Sequence, residues 1–154
     1  MKLRFCEFPI FENSMLAGLK HLNRIDSVMA RSEWEEDEFF DGVMLDNSES
    51  IIDGTMTNLF FSKNNVLYTP IIKKSGINGI MRQVVIDNAK LFFKEVCEIE
   101  IKRKTISTFD EMFVTNSVIK ILPVTHLSNK KFKITNATRE MINFFLKKVK
   151  DLKI

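Results

Sequence analysis

The chain has 154 residues, with 23 Lys and Arg against 20 Asp and Glu for a formal charge of +3, and it is 45% hydrophobic and 28% charged with 5 Gly and 3 Pro. That balance excludes a disordered or fibrous chain, and the length suits one domain with a genuine core rather than two. No apolar run is long enough to span a bilayer, no signal peptide is visible, and the basic stretches "IKRK" and "KKVKDLK" lack interleaved aromatic residues, so the expectation is a cytoplasmic protein with neither a membrane nor a nucleic-acid partner.

In chain order, Leu3 to Phe11 mixes apolar residues with Arg4, Glu7 and Pro9, and residues 1–15 read as an N-terminal edge strand or linker. After Lys20, "HLNRIDSVMARSEW" spaces Leu22, Ile25, Val28, Met29 and Ser32 as one face of a helix. "DEFFDGVMLD" and "ESIIDGTMTNLFFSKNNVLYTP" read as several short strands. Asn64 and Asn65 mark a hairpin turn between two of them, because Asn tolerates left-handed backbone.

"SGINGIMRQVVIDNAKLFF" turns to a helix with Ile80, Val84, Ala89 and Leu91 among its apolar residues, and Gly76 and Gly79 stand at its entry. "CEIEIKR" alternates apolar and charged residues as a half-buried strand does, and "EMFVTNS" and "IKILPV" are two more strands. The chain closes on an amphipathic helix, "TREMINFFLKKVKDL", with Met141, Ile142, Phe145, Leu146 and Val149 inward. Strands and helices mix without a regular βαβ rhythm, which predicts an α+β domain with a mixed, strongly curved sheet and helices outside it.

The histidines are His21 and His126, and the cysteines are Cys6 and Cys97, with no metal-ligand spacing among them, so no metal site is expected and both thiols read as reduced. Another chemistry fits better. An amine desolvated among apolar groups is partly neutral and attacks carbonyls. Pyridoxal phosphate chemistry joins such a lysine to an acid on the ring nitrogen and a phosphate cradle at a helix N-terminus. Lys20 is a candidate amine, Asp53 an acid at a strand end, "SGINGIMR" a glycine-containing entry to a helix, and "TNS" (Thr115 to Ser117) a set of small polar groups after a strand.

In this order those pieces carry a resemblance. "AGLKHLNRIDSVMARSEW", "GVMLD", "TNLFF", "VLYTPIIKKSGINGIMRQVVI" and "DEMFVTNSVIKILPV" resemble the C-terminal domain of fold-type IV pyridoxal-phosphate enzymes, the class IV aminotransferase superfamily. "KHLNR" and "NGIMR" are most similar to its aminodeoxychorismate lyase branch. The resemblance implies a pseudo-barrel sheet with outer helices over residues 16–154. It also implies a homodimer, and elimination of pyruvate from aminodeoxychorismate to give 4-aminobenzoate in folate biosynthesis. By the same resemblance Lys20 is the catalytic and cofactor-bearing residue. Asp53 faces the ring nitrogen, Gly79 and the amides of Ile80 and Met81 hold the phosphate with the Ser117 hydroxyl, and Thr115 and Asn116 line the same wall. His21 and Arg24 support the lysine segment or the pocket.

Two departures accompany it. The family places Glu where this chain has Asp53, and the family's lysine follows a complete N-terminal domain whereas here it is residue 20. The expectation is therefore a truncated or split form, whose missing half comes from another chain if it is active. A class IV aminotransferase of the branched-chain or D-amino-acid type, and a non-catalytic interaction domain of the same fold, are the alternatives.

Overall fold

The computed structural model describes residues 1–35 and 37–151, with residues 148–151 described as backbone only. In chain order the elements are β1 (Lys2–Phe5), α1 (Ile25–Arg31), β2 (Asp41–Leu45), β3 (Ser50–Gly54), β4 (Asn58–Lys63), β5 (Val66–Pro70), α2 (Ile80–Asn88), β6 (Glu95–Ile99), β7 (Ile101–Lys102), β8 (Glu111–Asn116), β9 (Lys120–Val124), β10 (His126–Leu127), β11 (Lys130–Lys131) and α3 (Asn136–Asp151).

The strands form a six-stranded sheet, β11-β10-β1-β2-β3-β7, and a five-stranded sheet, β6-β5-β4-β8-β9. Both are mixed: β1 runs parallel to β2 and β10, β5 runs parallel to β6, and the remaining neighbours are antiparallel. The chain curls from one sheet into the other through the short β3–β4 crossover, Gly54 to Thr57. This is the α+β pseudo-barrel architecture that the sequence predicts.

Side-chain alternation explains the layering. On β4, Leu59 and Phe61 point into a core shared with Leu3, Val43, Ile51, Met112 and Val114, which lies between the sheets. Phe60 points the other way and stacks on its cross-strand partner Phe113, ring centroids 5.0 Å apart, under Val85 and Ala89 beside α3's Met141 and Phe145. On β2, Met44 faces outward to Ala30 and Trp34, the underside of α1. All five residues of β2 are therefore buried, because both its faces are covered.

Several local expectations hold. Asn64 and Asn65 both take positive φ, 51° and 62°, as a tight β4–β5 hairpin requires. Pro123 sits on β9, an edge strand, where a missing N–H breaks no ladder. On α3, Met141 and Phe145 are buried and Ile142 is half-buried as expected, but Leu146, expected inward, is exposed because it falls off the stripe that Met141 and Phe145 set; the side chain of Val149 lies outside the described residues.

Four expectations are corrected. β1 is interior rather than an edge strand, since Pro9 lies beyond it and Cys6 and Ile10 continue the hydrogen bonding to Val43 and Leu45. "CEIEIKR" is two strands in different sheets: β6 pairs with β5, and β7 with β3. The helix at Ile80 ends at Asn88 in a 3-10 turn, and its Ile80 and Leu91 are exposed while Arg82 and Val85 are buried. The helix after Lys20 starts only at Ile25 and turns its apolar residues outward: Leu22, Ile25, Val28 and Met29 are all exposed, while Asp26, Ser27 and Ala30 are buried.

Candidate active site

At the β3–β4 crossover a cleft of about 750 Å³ opens between the start of α1, the crossover itself and the approach to α2. Lys20, Arg24, Ser27, Asp53, Met56, Asn58 and Ile77 are among its lining residues. A cavity of similar size, about 760 Å³, opens beside β1 and β2, but it contains neither Lys20 nor Asp53. Its two arginines are already paired, Arg4 with Glu7 and Glu33, and Arg103 with Glu49.

Backbone pairing places Lys20. Gly18, at φ 84°, bridges to Ile77 through Gly18 N–H to Gly76 O (2.9 Å) and Asn78 N–H to Gly18 O (3.1 Å). The lysine segment is thus tied to the segment that leads into α2. Lys20 itself is solvent-exposed, whereas the sequence reading has its amine enclosed among apolar groups. Arg24 donates to Ser27 Oγ across the first turn of α1 and lies on the same cleft.

Asp53 is buried, 3% exposed. Its Oδ1 accepts from Asn58 Nδ2 (3.0 Å) and Gly54 N–H (3.1 Å), and its Oδ2 accepts from Ile77 N–H (3.1 Å). Burial pushes its pKa up to about 7, with the Asp41 charge adding to the rise; the Ile77 N–H, the Arg24 guanidinium and the Gly54 N–H oppose it. The carboxyl therefore exchanges a proton near neutral pH.

Asn58 joins the parts. Besides Asp53 it donates to Ile77 O (2.7 Å), and its Oδ1 packs so closely on Gly79 that a Cβ there would overlap it. Gly79 is the N-cap of α2, with no capping side chain and no acid in the first turn, so this helix end presents open N–H groups. Arg82, one turn in, is 3% exposed and fixes the helix to Pro70 O (3.0 Å) and Glu98 (2.6 Å).

The structure thus brings Lys20 and Asp53 to one cleft and connects Gly79 to it through Asn58. Ile80 and Met81 sit beyond Asn58 and are not among the lining residues. Thr115 stands opposite Asn58 in the β4–β8 register, fully buried, with no hydrogen-bond partner for its Oγ1. Asn116 reaches the cleft wall by donating to Met56 O (3.2 Å), and its Oδ1 accepts from Val118 and Ile119 N–H to form the β8–β9 turn. Ser117 is exposed in that turn and does not line the cleft. His21 lies away from the cleft in a small cavity with Ser75 and Asp26.

The sequence reading missed Asn58 and Ile77 as site-forming residues. Asn58 had a signal: it is a polar residue opening the apolar run "NLFF", five residues after the acid. Ile77 acts through its backbone N–H, which no side chain announces. Among the described residues no His, Cys, Asp and Glu cluster could hold a metal, and no helix is long and apolar enough to cross a membrane.

The chain is 33% identical over 134 residues to the aminodeoxychorismate lyase of Vibrio harveyi, covering 87% of this chain and 49% of that protein. It is 34% identical over 113 residues to a putative branched-chain-amino-acid aminotransferase of Methanocaldococcus jannaschii, covering 73% and 39%. The crystal structure of 4-amino-4-deoxychorismate lyase from Pseudomonas aeruginosa superposes with a TM-score of 0.88 at 31% identity, over 93% of this chain and 53% of that one. The chain thus spans about half the length of the relatives it matches. The model for amino-transferase class IV proteins matches residues 5–127, from the end of β1 to β10 and so across every element that forms the cleft, and the chain belongs to that family.

Proposed function

We propose that this chain is the cofactor-binding half of a pyridoxal-phosphate-dependent aminodeoxychorismate lyase, which releases pyruvate and leaves 4-aminobenzoate. Members of the family depend on this cofactor. The observation that carries the reading is the shared cleft: Lys20 and Asp53 line it together, and Asn58 links it to the open N-terminus of α2. The donor set fits the group, with an amine, a buried acid for a basic ring nitrogen, and a helix end that favours a phosphate.

Pyridoxal phosphate supplies an electrophilic carbonyl and, once a proton leaves the substrate, an electron sink. With the cofactor bound, Lys20 would hold it covalently and, once the substrate amine displaced it, the freed amine would take the proton from the substrate carbon that bears nitrogen. Asp53 would share a proton with the ring nitrogen of a bound cofactor, and Asn58 and the Ile77 N–H fix the carboxyl's orientation. It is one methylene shorter than the family Glu. The open N–H groups of Ile80 and Met81, past Asn58 at the α2 N-terminus, would hold the phosphate together with the Ser117 hydroxyl of the β8–β9 turn outside the cleft lining, and Gly79, with no side chain, leaves room for Asn58 there.

The half of the relatives' length that this chain does not span, or another copy of the chain, would be the partner that supplies substrate contacts and closes the cleft. Exposed Met15, Leu19, Leu22, Ile25, Val28 and Met29 offer that partner an apolar face. A cytoplasmic location accords with this chemistry. The similarity to the Methanocaldococcus jannaschii protein keeps an aminotransferase as the second reading.

The test is to mix the purified chain with pyridoxal phosphate, reduce with borohydride, and map the label, with Lys20→Ala as control. Label confined to Lys20 is expected. Label scattered over surface lysines and unchanged in Lys20→Ala would leave a non-catalytic domain of the same fold. Supplied with aminodeoxychorismate and the partner half, the lyase forms pyruvate and 4-aminobenzoate; an amino donor converted to its keto acid marks the aminotransferase instead.

A further inference from the structure

The strand β2 carries a carboxylate where an apolar side chain would cost less. Asp41 is fully buried at the head of "DGVML", whose other members are all buried too, and among the described residues it has no ion pair. A buried carboxylate needs several donors to be tolerated. Asp41 finds three of them in the crossover and one in its neighbour on β2: its Oδ1 accepts from Thr55 Oγ1 (2.6 Å), Thr55 N–H (3.1 Å) and Gly42 N–H (2.8 Å), and its Oδ2 accepts from Thr57 Oγ1 (2.6 Å).

Both threonines belong to the segment that connects Asp53 to Asn58, and both line the cleft. The turn is closed further by Gly54 N–H to Thr57 O (2.7 Å) and Thr55 N–H to Gly42 O (3.0 Å). Gly54 packs so closely on the Asp41 carboxylate and Thr57 that a Cβ there would overlap both. The backbone between the two cleft residues is thus moulded onto one carboxylate from the neighbouring strand.

We propose that Asp41 is a positioning residue of the cleft, holding the Gly54–Thr57 crossover in the form that presents Asp53 and Asn58 to the cofactor. The inference rests on the reading of this cleft as the pyridoxal-phosphate site. It differs from that reading in assigning a role to a residue that touches neither cofactor nor substrate.

Glu111 provides the internal control. It is also buried, at 2% exposure, and held by three donors, Ser62 Oγ and the Thr135 hydroxyl and N–H at the start of α3, but it does not line the cleft.

The experiment compares wild type, Asp41→Asn and Glu111→Gln by thermal melting, by titration with pyridoxal phosphate followed through the visible band of the bound cofactor, and by hydrogen exchange at residues 54–58. Asp41→Asn is expected to bind the cofactor about tenfold more weakly and to exchange faster at 54–58. Glu111→Gln is expected to lose stability while keeping both the affinity and the exchange pattern. Thr55→Ser, which keeps the hydroxyl donor, should behave as wild type, whereas Thr55→Val should reproduce part of the loss; this pair carries the test if Asp41→Asn does not fold.

Wild-type affinity in Asp41→Asn, or in Thr55→Val, overturns the proposal. So does an affinity loss in Glu111→Gln as large as that in Asp41→Asn. If wild type takes up no cofactor, the cofactor reading falls by itself. The hold of Asp41 on the crossover is then decided by exchange at 54–58, and unchanged exchange in Asp41→Asn refutes it.

Discussion

Helices α1 and α3 are both amphipathic by sequence, yet they dock in opposite senses. The longer one follows the usual rule: α3 buries Met141 and Phe145 against Phe60 and Phe113 of the five-stranded sheet. The shorter one inverts it, burying Asp26 and Ser27 with Ala30 while exposing Ile25, Val28 and Met29. The difference follows from what each helix supports. α3 closes a core, whereas α1 carries Arg24 and Ser27 on the cleft and stands just after Lys20. Its inner side is polar where Arg24 and Ser27 meet the cleft, and its apolar side is exposed.

The largest test of this contrast is Phe145→Ala, which should cost about 3–5 kcal/mol in a urea melt, as expected for a large side chain removed from a filled core. A loss below 1 kcal/mol would place α3 with α1 as a helix that depends on something outside this chain.

The inward side of α1 comes next. Asp26 accepts from its neighbour Ser27 N–H (2.7 Å) and from Phe11 N–H (3.4 Å). Asp26→Ala should cost about 1–3 kcal/mol because buried donors lose their acceptor. Calorimetry of the variant measures it, and a neutral result would remove the polar side of α1 from the stability of the fold.

Proton linkage at the cleft floor gives a further measurement. The folded pKa of Asp53, about 7, lies above its ordinary value of 3.8. The folded chain therefore keeps a proton that the unfolded chain has released, and the stability it contributes is present below the lower value and declines as pH rises through that window. Asp41 is raised by burial as well and acts with the same sign. Melting temperature should fall from pH 4 to pH 7.5 more steeply in wild type than in Asp53→Asn; parallel curves would show that Asp53 does not carry the proton.

The smallest expected effect falls on the outer side of α1. Val28→Ser, at a position 61% exposed, should change stability by about 0.5 kcal/mol or less. It should reduce self-association in sedimentation runs, if that face is where a partner docks.

What could be read ahead of the structure follows from how local each signal is. Asn64-Asn65 prescribes its own hairpin, and the phenylalanine-rich strands prescribe a core whatever lies around them. Lys20 and Asp53 could be singled out by residue type and order. The orientation of α1 could not, because a helical period reports a stripe without saying whether this chain covers it. Nor could the division of "CEIEIKR" between two sheets, which depends on distant pairings of β7 with β3 and β6 with β5. Asp41 carries no signal of its own in the sequence, since its donors Thr55 and Thr57 sit more than ten residues away along the chain.

That divided segment also bears on how the molecule comes apart. Among the described residues the chain passes between the sheets at Gly54–Thr57, at Glu100 between β6 and β7, through residues 103–110 between β7 and β8, and at Thr125 between β9 and β10. Four covalent stitches, two of them single residues, leave neither sheet free to melt by itself. Denaturation should then be all-or-none, with the environment of Trp34 beneath α1 and that of Tyr68 on β5 changing in one transition. Forming it demands that contacts far apart in sequence close together, which makes folding slow for a chain of this size.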